Sequence, residues 1–187
     1  MDFGTFFVIA HLIGFALGAG GAFVTDAIFF TSIRDRVISA TEIRFIELGG
    51  SIVWVGIFIS ILSGLGLFMA DPGTFLASSK FQLKMTVFLV IVLNGLVIHR
   101  IHAPMFGRAV GRQLHTHPEF KRRIPILLLS GVVSTVSWLT ALTLGTLRSI
   151  NYTYTEGLAI YALVIMAGVI GAFLVHPTAF RILWKLK

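Results

Sequence analysis

Five long apolar runs, at residues 5–30, 46–70, 85–98, 124–147 and 158–175, leave this chain few ways to fold. Each approaches the ~20 residues a helix needs to cross a hydrocarbon layer, and the third does so once it is carried through Ile101. Lipid offers no water to backbone N–H and C=O groups, so a spanning segment must satisfy them itself, as a helix does. The expectation is an all-α polytopic bundle of about five transmembrane helices. Composition agrees: 56% of residues are hydrophobic and mean hydropathy is +0.92, against about 45–50% apolar in soluble domains. The opening Met1-Asp2-Phe3-Gly4 has no basic region, so the first run is expected to stay as a permanent span and not to act as a cleaved signal.

The net charge of +7 is best explained by its distribution. Twelve of the fifteen basic residues fall on one side of the predicted spans: Arg34, Arg36 and Arg44, then Arg100, Arg108, Arg112, Lys121, Arg122 and Arg123, then Arg181, Lys185 and Lys187. Lys80, Lys84 and Arg148 fall on the other. The positive-inside rule then puts the N-terminus outside and the C-terminus in the cytoplasm, in a multi-pass protein of the cell's inner (plasma) membrane. Nucleic acid is not an expected partner; the lipid bilayer is. No Ser/Gly linker or low-complexity tract divides the chain, and residues 1–187 read as one domain. Asp71-Pro72-Gly73 ends the second helix, with a short amphipathic stretch expected from there to Gln82.

The chain has no cysteine, which excludes disulfides, thiolate metal sites, iron–sulfur clusters and covalently attached c-type haem. Histidine, carboxylate, methionine and lysine remain as ligands. Polar groups inside a membrane are costly and mark function by default, which singles out His11, Asp26, Glu47, Lys84, Asn94, His99, His102 and His176. Helical spacing puts His11, Gly14, Gly18, Gly21 and Thr25 on one face of the first helix. That stripe serves either a close helix contact or the edge of a flat cofactor. Lys84, Gly95, His99 and His102 form a stripe on the third helix. On the fifth, Tyr161, Ile165, Gly168, Ala172 and His176 do the same. Gly95 and Ala172 each clear space one turn before a histidine, and His99 and His176 have similar depths near the arginine-rich side. That is the arrangement for two imidazoles to clamp one haem. Asp26 is expected to pair with Arg100, and Glu47 beside Arg44 to be structural. Ser130, Ser134 and Ser137 line the fourth helix. His115 and His117, in the loop before Pro118, are expected to be solvated.

His11-Leu12-Ile13-Gly14, with Lys84 opening the third helix and Asn94-Gly95-Leu96-Val97-Ile98-His99-Arg100 ending it, resembles the small membrane proteins grouped around HemJ-type protoporphyrinogen oxidases and CopD-type copper-resistance domains. The likeness covers helices 1 to 3. It implies haem b and activity associated with His11 and Lys84, or, on the CopD side, copper handling. Against copper, the five methionines are scattered.

The expectation is therefore a membrane-embedded b-type haem protein with one or two haems, carrying electrons within or across the bilayer. Quinone, a redox subunit or a second copy of the chain would be its partners. His99 and His176 are the first-choice axial pair, with His102 a further metal ligand and His11 with Lys84 a second site. Haem-dependent oxidation of protoporphyrinogen and copper or small-solute transport are the alternatives.

Overall fold

Helix is the conformation lipid imposes on these runs, and in the computed structural model every long element is helical, with no β-strand among the described residues. The described residues are 2–35, 37–111, 118–147 and 149–185; of 33–35, 121 and 176–185 only the backbone is described. The elements are α1 (Phe3–Asp35), α2 (Ala40–Ala70), α3 (Pro72–Ala77), α4 (Ser79–Val97), a π-helical turn (Ile98–His102), α5 (Ala103–Arg108), α6 (Pro118–Thr146) and α7 (Tyr154–Lys185). Five stretches are long and apolar enough to cross a membrane, and α4, the π turn and α5 together form the third, Ser79–Arg108. That span is longer than the apolar run predicts, because its helix continues past Ile98 into polar sequence.

α1 and α2 form the tightest pair, and glycine is the reason. A Cβ on Gly14 would lie 2.7 Å from Ser60 Oγ and 2.9 Å from the Gly56 carbonyl oxygen, and one on Gly56 would lie 2.6 Å from the Gly14 carbonyl oxygen. The two backbones therefore touch where side chains would hold them apart. The glycines of the α1 stripe thus make the close helix contact that is one of its two expected uses. On the neighbouring face Trp138 of α6 lies against Gly18, edge-on to Phe15 with ring centroids 5.8 Å apart.

The α1–α2 corner is fastened by a capping box at Ser39 and Glu42. Glu42 also accepts a 2.6 Å hydrogen bond from Ser32 Oγ of α1. Near it Ile38, Ile43, Met105, Phe106, Ala109 and Phe120 make one buried cluster. At this end Arg108 and Arg123 both reach Glu119, at 2.8 and 3.4 Å. The second cluster joins α1, α2, α4, α6 and α7 through Ala19, Ile57, Leu83, Val87, Ile91, Trp138 and Tyr161. At the opposite end Asp71 caps α3; the stretch expected to reach Gln82 is divided between this six-residue helix and the first turn of α4, and Phe68, Phe75 and Phe81 form a cluster of three rings. Lys80 Nζ donates to the Leu147 carbonyl oxygen, which ties the start of α4 to the end of α6. α7 rests on α6 through Gly168 against Val132 and on α4 through Gly157 against Leu83.

Candidate functional site

Three polar levels interrupt the apolar interior. The first joins α1 to α2. The half-buried His11 ring places Nδ1 3.1 Å from Ser63 Oγ, beside Gly64. Ser63 has one hydroxyl hydrogen and donates it to the Ile59 carbonyl oxygen at 2.6 Å. Toward His11 it is therefore an acceptor, so Nδ1 carries the ring proton and the lone pair lies on Nε2. Lys84, half-buried on α4, lies within electrostatic range of this ring. His11 and Lys84, on α1 and α4, thus lie within electrostatic range of each other. Ser60 and Ser63 stand three residues apart in the apolar second half of α2. That spacing was visible in the sequence, whereas the pairing with a residue fifty-two positions away was not.

The second level joins α6 to α7. Tyr161 Oη lies 2.6 Å from Ser137 Oγ, which itself donates to the Val133 carbonyl oxygen at 2.5 Å, so the phenol is the donor to serine.

The third level joins the end of the third span to α6. His102 is buried, with Nε2 3.1 Å from Ser130 Oγ, and Asn94 Nδ2 donates to the Ser130 carbonyl oxygen at 3.0 Å. The other ring nitrogen of His102, Nδ1, is buried without a hydrogen-bond partner. Asn94 and His102 are eight residues apart, which on an α-helix would turn them ~80° from each other. The π turn widens the helix, and both reach the same serine.

That turn also corrects the expected single stripe of the third helix. His99 is exposed while His102 points inward, so the two do not share a face. Gly95 faces Trp54 of α2, whose Cζ2 lies 3.7 Å from where a Cβ would be, so an indole occupies the space that glycine clears. Ala172 is half-buried on α7. The side chain of His176 lies outside the described residues, as do His115 and His117. Asp26 and Arg100 form no ion pair with each other; among the described residues the ion pairs are those of Glu119. No group of three or more histidine, aspartate or glutamate side chains is gathered as a metal site among the described residues.

No family model matches this chain, and no curated protein or solved structure matches it either.

Proposed function

We propose that this chain is an integral-membrane b-type haem protein that carries electrons within or across the bilayer, with His11 as a residue that would hold the haem. The observation that carries the reading is the hydrogen bond from His11 Nδ1 to Ser63. Ligating histidines are typically held this way, through the ring nitrogen that does not face the metal. Here the bond leaves the Nε2 lone pair available and fixes the ring plane. The donor set suits haem b: neutral imidazole without thiolate, in a chain that cannot attach haem covalently. Haem would supply a one-electron iron couple. The protein's part is to orient His11, to place the Lys84 ammonium where an anionic propionate would be neutralised, and to exclude water through the apolar faces of α1, α2 and α4. The exposed His99 would serve a second haem. Quinone or a redox subunit, in the cell's inner (plasma) membrane, would exchange electrons with the site.

Lys84 beside His11 favours one second reading, in which the same site takes a tetrapyrrole as substrate and oxidises protoporphyrinogen. Purified protein analysed by pyridine haemochrome and metal content tests the first reading. A b haem that is present in the wild type and lost in His11→Ala supports it. Wild-type protein without haem, or His11→Ala with an unchanged spectrum, overturns it. Turnover of protoporphyrinogen by wild type and not by Lys84→Met would establish the second.

A further inference from the structure

The polar groups of α6 and their partners lie along one line. Ser130, Ser134 and Ser137 recur at spacings of four and three, on one face of the helix. All three are buried, at 4%, 7% and 0% exposure, although every one is polar. Tyr161 closes one end of the line on Ser137, and His102, 1% exposed, closes the other on Ser130. Two turns beyond Ser130, on the same face and toward the arginine-rich end, comes Arg123, held by Glu119. A stripe of serines alone would be helix packing. What distinguishes this one is His102 Nδ1, a buried ring nitrogen with no hydrogen-bond partner among the described residues.

We propose that His102, Ser130, Ser134, Ser137 and Tyr161 form a hydrated proton track running from the arginine-rich end of the bundle toward its middle, with His102 as its entrance. Water is the ligand that completes Nδ1. The ring nitrogens have different neighbours, as a relay needs: Nδ1 is buried with no hydrogen-bond partner among the described residues, and Nε2 is hydrogen-bonded to a hydroxyl. A proton accepted on the Nδ1 lone pair forms one N–H bond. The Nε2–H bond then breaks toward Ser130 Oγ, whose own hydrogen passes on along the line, and the ring ends neutral as its other tautomer. No oxidant or reductant takes part. Ser130 suits this step because, among the described residues, the contact of its hydroxyl is with His102 Nε2. Successive serines are about a helical turn apart, a gap that a bridging water spans. The π turn Ile98–His102 is what turns the imidazole inward, and such turns recur where helices carry function.

The far end of the track has a destination. Ser137 lies nine residues from the end of α6, Tyr161 seven from the start of α7 and His11 eight from the start of α1. All three are therefore roughly 10–13 Å from the same face of the bundle at ~1.5 Å per residue. As a supply of protons to the His11 site the track rests on the function proposed above; as a hydrated path it does not.

The absence of cysteine makes the test direct. Single cysteines are placed at Ser130, Ser134 and Ser137, and at the lipid-facing Leu129 and Leu139, in the full chain. Modification by 2-aminoethyl methanethiosulfonate is followed in right-side-out and inside-out vesicles. The expected result is that Ser130→Cys and Ser134→Cys react from the arginine-rich side about tenfold or more faster than the two leucine positions, because only a hydrated thiol ionises. Adding His102→Leu should bring Ser134→Cys down to the lipid-facing rate. In parallel, ¹⁵N-histidine spectra in bilayers, assigned by His102→Gln, should show the His102 ring N–H exchanging with D₂O. Cysteines that react no faster than those facing lipid, or a His102 N–H that does not exchange, overturn the proposal and leave a dry polar seam. Neither readout involves haem, so a reactive Ser134→Cys in a haem-free protein would sink the function and spare the track.

Discussion

Ser63 has two roles at the scale of single residues: it ends its own hydrogen in α2 and accepts one from His11. Ser63→Ala would remove the acceptor and release the ring to turn. Loss of such a supporting partner typically weakens ligand retention by about 10–100-fold. On the proposed haem reading, haem content of the variant, measured after repeated dialysis against a haem-binding acceptor protein, should therefore fall below that of the wild type. Tyr161→Phe tests a different hydrogen bond. Ser137 keeps its bond to the Val133 carbonyl oxygen without the phenol, so no buried group is stranded, and the expected cost is only about 1 kcal/mol. A small drop in thermal stability in detergent would agree; a collapse would mean that Tyr161 holds α7 in place by itself.

At the scale of elements, the α1–α2 pair depends on places where no side chain fits. Gly56→Val would drive atoms into the Gly14 carbonyl and the Gly18 Cα, and backbone cannot move aside as a side chain tip does. The expected loss is at least the ~1–3 kcal/mol of an overpacked core, seen as aggregation on size exclusion, whereas Gly131→Ala, with open space around it, should behave as wild type. α3 responds to pH. Hydrogen bonds from Thr74 hold the Asp71 carboxyl below the usual carboxylate range. A depressed folded-state pKa stabilises above the unfolded value, ~3.9, and that contribution disappears as pH falls through the folded value. Protection of the α3 backbone amides, taken relative to the intrinsic exchange rate at each pH, should then fall below about pH 4, and Asp71→Asn should remove the pH dependence. The five spans and the α1 stripe were legible in the sequence, since lipid admits little else for such runs and glycines at three- and four-residue spacing describe a contact face. The histidine stripe was misread because a constant 3.6-residue period was carried through residues 98–102, where the helix widens. Nothing in Ile98-His99-Arg100-Ile101-His102 announces that change. Ser63 and Trp54 were overlooked for a different reason: their importance comes from a neighbouring helix, and one helix's periodicity does not contain it.

For the molecule as a whole, the five candidate spans among the described residues predict ends on opposite sides of the membrane, and the arginine distribution predicts which side is which. A cysteine introduced at Thr153 should be labelled in intact cells by an impermeant reagent, and one at Gln113 only after lysis. The reverse pattern would invert the topology and with it the side from which the proton track opens. The widened turn at Ile98–His102 has a consequence for the chain's history and its tolerance of change. One surplus residue is absorbed there, so the helical segments on either side keep the phase that packs Leu83, Val87 and Ile91 against one cluster and Met105 and Phe106 against the other. Removing Ile101 should therefore close the bulge into ordinary α-helix and leave both clusters seated, while the imidazole that now faces Ser130 rotates away. The turn would then be a one-residue insertion that the fold accommodates without repacking.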